Sequence, residues 1–200
     1  MRIILASVSP RRAQILRTLG LRFETETPRV EERPHPREKP ADYVVRIASE
    51  KARAVALQDS GALVIGADTA VVVDTLTLGK PKDPADAARM LRVLRGREHS
   101  VFSGVALFLP RDGSIAAGFE ESRVKFAPMS DEEIAWYVAT GEGLDKAGAY
   151  AVQGKASLFI EGIAGSYVNV IGLPVRLLYT LAGRAGIDLK DDSLRAKTEN

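Results

Sequence analysis

Five short stretches of this sequence and one lone lysine offer side chains that could manage a polyanion and a water molecule. Val64-Ile65-Gly66-Ala67-Asp68-Thr69 sets a carboxylate in β-rich surroundings beside a glycine, which lets backbone or ligand come close. Such an aspartate can serve as a base or a metal ligand, or can simply bond a turn. Glu31-Glu32 offers a second carboxylate or a solvated acidic pair. Ser7-Val8-Ser9-Pro10-Arg11-Arg12 places two hydroxyls, the open N–H groups of a helix start and two guanidiniums in one strand-to-helix junction. That is chemistry for an anionic phosphate chain, against the plainer reading of a capped helix with solvated arginines. Lys51 and Lys80 are the candidate neutralisers of phosphate charge. Lys51 reads by default as part of a solvated helix face, whereas Lys80, in Gly79-Lys80-Pro81, sits in a rigid turn that can aim a point charge. Asp145 through Gly154 packs small residues around Gln153, whose amide can both donate to and accept from a base edge, or forms a glycine-rich bend.

Composition narrows the chemistry. The 200 residues contain no cysteine and two histidines, His35 and His99, which removes thiol nucleophiles, iron–sulfur clusters and zinc ribbons. A metal here must be held by oxygen, so a divalent Mg²⁺ or Mn²⁺ is expected. The formal net charge of +2 gives no overall field for nucleic acid. Gly79-Lys80 is followed by Pro81 where a Walker loop needs Ser or Thr, and Gly141-Glu142-Gly143 lacks the third glycine of a dinucleotide fingerprint. Hydrophobic residues at 46% and charged residues at 27% fit an ordinary folded protein. No apolar run is long enough to span a bilayer and no secretory signal is recognisable, so a cytoplasmic location is expected.

The elements that must position these residues follow from pattern and punctuation. Residues 2–6 read as a buried strand, and Ser9-Pro10 as the start of a helix that Gly20 stops. Residues 28–40, with four of the ten prolines, read as an exposed loop. Apolar residues from Val44 to Ala56 at spacings of three and four make 41–58 a helix. Two strand segments, 63–65 and 70–73, flank Asp68. Asp83-Pro84 opens a helix closed by Gly96, and 100–109 with 115–127 form a hairpin around Arg111-Asp112-Gly113. Ser130 and Glu133 make a capping box for a helix ended by Gly141. Short strands are expected across 149–171, then a last helix from Pro174 to about Arg184. His99 reads as a satisfied edge histidine and Trp136 as core. The expected fold is α/β, a mixed twisted sheet with flanking helices and two lobes around a central cleft, as one domain over 1–189 with a polar tail at 190–200.

In order and spacing, the stretches at 7–12, 65–69, 79–81 and 145–154, with Asn169-Val170-Ile171-Gly172-Leu173-Pro174, resemble the Maf family of nucleoside triphosphate pyrophosphatases. The resemblance covers about residues 3–183. It implies a fold shared with inosine-triphosphate pyrophosphatases, a divalent metal, and cleavage of a nucleoside triphosphate to monophosphate and pyrophosphate. It also implies a homodimer. Asp68 matches the family's proton acceptor, and Ser7, Arg11, Glu32, Lys51 and Lys80 match cleft residues, with Glu32 and Asp68 as the metal carboxylates. Arg11, Thr69 and Gln153 fall where the family sets base preference and look like the dTTP/UTP branch, since the branch acting on 7-methyl-GTP has Trp, Gln and Glu there. Arg12 joins the substrate-binding set through its place in the strand-to-helix junction. Thr75 stands where Gly is frequent after Asp74, which brings the turn before Lys80 into question. The alternative is a nucleotide- or nucleic-acid-binding regulator of cell division without turnover.

Overall fold

The computed structural model describes residues 1–58 and 61–196. Its seven strands, with helices between them, form a sheet in the order β2-β1-β3-β5-β6-β7, with β4 on β3. These are β1 (Ile3–Ala6), β2 (Glu24–Glu26), β3 (Leu63–Val73), β4 (Leu76–Leu78), β5 (Glu98–Phe108), β6 (Ile115–Phe126) and β7 (Ile160–Ala164). β1 runs parallel to β2 and β3, while β4 is antiparallel to β3 and β7 to β6. The expected mixed sheet is present. The chain divides into two compact units, one of residues 1–68, 103–120 and 172–200, the other of 69–102 and 121–171.

In the first unit, α1 (Pro10–Thr18) follows β1, and α2 (Pro40–Ala56) lies against the sheet. Small residues make that packing close. Ala48, Ala52, Val55 and Ala56 meet Ile4, Ala6, Val64 and Ala106 in one buried cluster. A Cβ on Gly66 would stand 2.0 Å from the Ala48 carbonyl oxygen, and one on Gly104 2.2 Å from that of Val44. Only glycine lets β3 and β5 meet the helix backbone this way, which sets Asp68, two residues beyond Gly66, beside α2. Its last α-helix is α6 (Val175–Arg184), which follows Pro174.

The second unit holds α3 (Pro84–Leu94), α4 (Asp131–Ala139) and α5 (Tyr167–Ile171). Its core joins Val71, Val73, Leu91, Leu94, Val124, Phe126 and Tyr137. The caps match expectation: the Asp83 side chain accepts from Asp86 N, and Ser130 with Glu133 forms the full capping box. β4 returns on β3 through Asp74 and Thr75, with Asp74 in the left-handed region at φ 52°. Asp74 thus absorbs the conformation that a glycine at 75 would have eased, and the turn before Lys80 closes.

Several expectations are corrected. Asp68 lies inside one continuous eleven-residue strand rather than where two segments meet. The 149–171 region is a 3₁₀ turn over Lys155–Phe159, then β7, then α5, so only its middle is strand. Ser9 makes no side-chain cap bond. Trp136 is half-exposed at 48%, its ring edge-on to Phe159 rather than enclosed. The tail stays attached beyond Lys190: Leu194 is buried, Arg22 N donates to its carbonyl at 2.8 Å, and Arg195 bridges to Leu21. The rest of the expected tail, 197–200, lies outside the described residues.

His99 is buried among Phe126 and Tyr150, and its Nε2 is 2.8 Å from the Tyr150 hydroxyl. Among the described residues no hydrogen-bond partner reaches its Nδ1. Burial drops its pKa to about 4, so the folded chain holds the neutral ring. The unfolded chain takes up the proton near its ordinary value of about 6.5. Stability from this residue is therefore complete above about pH 6.5 and is lost as pH falls toward 4. Chemical denaturation of the parent and of His99→Gln at pH 7 and pH 4.5 should show a shallower acid loss in the variant, by up to about 3 kcal/mol. Equal losses would remove His99 as the cause.

Candidate active site

The first unit holds six of the residues singled out above: Ser7, Arg11, Arg12, Glu32, Lys51 and Asp68. Lys51, on α2, is buried, and its Nζ lies 2.8 Å from Asp68 Oδ1 and 2.8 Å from Glu32 Oε1. One ammonium thus bridges two carboxylates from a strand and a loop. Asp68 is enclosed as well, with its side chain 6% exposed, whereas Glu32 is 43% exposed. Lys51 is therefore not the solvated helix-face residue of the default reading. It follows Ile47 and Ala48 on the buried stripe of α2, where its charge is matched only because two acids meet it.

Arg12 and Ser7 complete this group. Ser7 ends the turn after β1 and is buried; its Oγ accepts from Ser9 N at 3.2 Å and from Arg12 Nη1 at 3.2 Å. Arg12 Nε donates to the Gly172 carbonyl at 2.8 Å, tying the start of α1 to the turn before α6. Burial lowers the Arg12 guanidinium from its ordinary value, while the charges of Asp68 and Glu32 pull the other way. Arg12 is thus a partly buried cation held next to both acids, not a solvated arginine. Arg11 stands on the same first turn of α1.

Burial is the main influence on Asp68 and pushes its carboxyl up. The Lys51 and Arg12 charges and the Lys51 hydrogen bond oppose it, Glu32 reinforces it, and the carboxyl stays above its ordinary value. A carboxylate shifted this way is a stronger base than one in water.

Two residues outside the initial reading hold Glu32 in reach. Arg46 on α2 pairs with both Glu38 oxygens, Nε at 2.6 Å and Nη2 at 2.7 Å, and Nη2 also donates to the Arg33 carbonyl at 2.9 Å. The proline-rich loop is thereby fastened to the helix one residue after Glu32. The Arg46 hydrogen bond chiefly holds the Glu38 carboxyl down to about 2, so this clamp stays charged across the neutral range. The visible signal was a Glu in the loop, an Arg in the second turn of α2 and Glu50 four residues on, which also accepts from Arg46.

Thr69, Lys80 and Gln153 belong to the second unit. Lys80 is exposed in the turn after β4, where the Gly79 carbonyl accepts from Gly148 N at 3.1 Å. That bond joins the Gly79-Lys80-Pro81 turn to the small-residue stretch at 145–154. Gly148 needs its left-handed φ of 72°, and a Cβ there would stand 3.1 Å from Val71 Cγ1. Gln153 is exposed at a tight turn in which Gly154 N donates to the Ala151 carbonyl at 3.0 Å.

The sequence matches the family described as Maf-like protein over residues 2–185. It is 51% identical over 173 residues to a dTTP/UTP pyrophosphatase of Symbiobacterium thermophilum, covering 86% of this chain and 88% of that protein. A dTTP/UTP pyrophosphatase of Anaeromyxobacter dehalogenans is 49% identical over 193 residues, covering 94% and 96%. One of Dictyoglomus turgidum is 47% identical over 188 residues, covering 94% and 97%.

Proposed function

The chain belongs to the Maf family, and on that premise we propose that it hydrolyses dTTP and UTP to the monophosphate and pyrophosphate. The observation that carries this reading is the buried Asp68–Lys51 pair joined by Glu32, in a chain about half identical to proteins named for that activity. Water adds to the α-phosphorus, the bond to the oxygen bridging the α and β phosphates breaks, and Asp68 takes the proton the water gives up. Pyrophosphate carries away the bonding electrons. Asp68 suits the task because its enclosure makes the carboxylate more basic, while the Lys51 and Arg12 charges favour the ionised form. A non-hydrolytic regulator has no use for such a base.

The two acids fit a divalent cation with oxygen ligands. Glu32 and Asp68 converge on one positive charge, and the described residues contain no group of three His, Cys, Asp or Glu that could hold a metal alone. Two protein carboxylates leave positions for phosphate oxygens and water, which suits Mg²⁺ or Mn²⁺. When bound, the cation supplies neutralisation of charge on the triphosphate. Ser7, Arg11 and Arg12 meet the phosphates at the start of α1, and exposed Lys80 adds a further cation. Lys51 holds the two acids in place.

Base selection falls to Arg11, Thr69 and Gln153. The Gln153 amide can satisfy both the carbonyl and the N–H of a thymine or uracil edge. A 7-methylguanine ring carries positive charge that Arg11 would repel and that no carboxylate in this trio would match. Among the described residues no helix is long and apolar enough to cross a membrane. The cytoplasmic location expected from the sequence, and the homodimer implied by the family resemblance, complete the proposal; light scattering in solution would read the latter.

The test is chromatography of dTTP incubated with Mg²⁺ and the protein. The expected products are dTMP and pyrophosphate, with turnover abolished by a chelator, whereas dTDP and orthophosphate would refute the reading. In competition, kcat/KM should favour dTTP and UTP over 7-methyl-GTP by at least about 10-fold. A preference for 7-methyl-GTP would overturn the base assignment and leave the bond cleaved unchanged.

A further inference from the structure

The turn that carries Gln153 is fastened from both sides by one relay that runs from the core to the surface. Ala151 N, two residues before Gln153, donates to the Tyr137 hydroxyl at 3.1 Å. That hydroxyl donates to Glu142 Oε1 at 3.0 Å. The other oxygen, Glu142 Oε2, accepts from Lys155 N at 3.1 Å, two residues after Gln153. Between them lies Gly154, on which a Cβ would stand 2.3 Å from Glu142 Oε1. Because the carboxylate is held at both oxygens, it cannot swing away from such a Cβ, and glycine alone fits.

Glu142 is itself held. Its N–H donates to Thr140 Oγ1 at 3.2 Å, and its carbonyl accepts from Lys146 Nζ at 2.6 Å. Burial pushes its carboxyl up, but the bonds from Lys155 N, Tyr137 and Ala156 N and the Lys146 charge outweigh burial and hold it below its ordinary value. It is therefore ionised at neutral pH, with two acceptor oxygens for two donors. Tyr137 reaches it from the core side, its ring fully enclosed at 1% exposure.

We infer that Glu142 and Tyr137 are positioning residues for base recognition: through Ala151 N and Lys155 N they fix the turn that presents Gln153. The inference rests on the dTTP/UTP reading above, in which Gln153 meets the base. A turn built only for stability could be closed by its own Gly154-to-Ala151 bond. This one is also pinned at both shoulders, by the Tyr137 hydroxyl and the Glu142 carboxylate. A side chain that must match two groups of a base edge loses discrimination when its backbone drifts, while the phosphate chemistry carried by other residues continues.

The experiment measures kcat and KM for dTTP and for dATP in the parent, Glu142→Ala, Glu142→Gln, Tyr137→Phe and Gln153→Ala, with thermal melting of each. Glu142→Ala should raise the KM for dTTP about 10-fold, change kcat less than about 3-fold, and shrink the dTTP-to-dATP ratio of kcat/KM about 10-fold. Glu142→Gln keeps one acceptor and should recover most of the ratio. Tyr137→Phe releases the Ala151 shoulder and should give a smaller loss in the same direction; it decides the matter if Glu142→Ala does not fold. In the Gln153→Ala background, Glu142→Ala should reduce the ratio no further, because it acts through Gln153. Folded variants that keep the parent ratio, or that lose kcat equally on both nucleotides, would overturn the positioning role while dTTP hydrolysis by the parent stands. A parent without dTTP hydrolysis would instead sink the reading beneath it.

Discussion

Replacing Asp68 with Asn should lower kcat for dTTP by about 10²-fold or more, in a protein that still folds and still binds nucleotide. The substitution keeps the size of the side chain and removes its charge and basicity. Asp68 is the most enclosed acid of the cluster, and its carboxyl lies above its ordinary value mainly through burial. Asn cannot take a proton from water, and it offers Lys51 a neutral oxygen in place of a carboxylate. The fold should survive because Glu32 stays 2.8 Å from Lys51 and Arg12 remains bound to Gly172 and Ser7. Binding of a dTTP analogue with a non-hydrolysable α–β bridge, followed by titration calorimetry, would separate chemistry from affinity. Turnover near the parent value would move the proton-acceptor role elsewhere, with Glu32 next to be replaced.

The parts of this architecture that were legible in the sequence are those fixed by local chemistry. Pro10 and Pro84 open helices because their missing N–H groups cost nothing there, and Asp83 and Ser130 cap by bonding N–H groups three residues on. The region after Tyr150 was not legible. Its 3₁₀ turn and five-residue α5 are too short for periodicity to register. β2 is three residues of Glu-Thr-Glu, made a strand by main-chain pairing with β1 and not by its side chains.

At the site, the motif residues could be named from their types, but their partners could not. Lys51 is the instructive case. The buried positions of α2 run Val44, Ile47, Ala48, Lys51, Ala52, Val55 and Ala56, so the lysine occupies a place on the apolar stripe itself. A charge on that stripe signals a buried partner, and the pattern held that information before any coordinates did. Which acids would answer it was not legible, because Glu32 arrives on a proline-rich loop and Asp68 on a strand 17 residues away. Tyr137 and Glu142 lie beyond such pattern reading, since five residues apart they share no helical face and meet only after the chain turns at Gly141.

Lys51→Met should cost both activity and stability, and a second substitution separates the two. Removing the ammonium leaves Asp68 enclosed with its carboxylate uncompensated on that side, and breaking a buried pair from one end costs about 3–5 kcal/mol. Glu32 is partly solvated, so the lower end, about 3 kcal/mol, is expected. For a chain of this size that is a fall in Tm of roughly 10 °C. Without Lys51, the opposing charge on Asp68 is weaker and its carboxyl rises further. The folded state then binds a proton more readily than the unfolded chain, so the variant's deficit should shrink as pH falls from 7 through the raised Asp68 value. The double variant Lys51→Met with Asp68→Asn removes both members of the pair. It should regain at least half of the lost stability, because no uncompensated charge remains enclosed, yet it should stay as inactive as Asp68→Asn alone. Differential scanning calorimetry across pH, with dTTP turnover on the same samples, measures both. A Lys51→Met protein melting with the parent at pH 7 would show that the buried bridge contributes nothing to folding. Additive losses in the double variant would show that Lys51 and Asp68 are not energetically coupled.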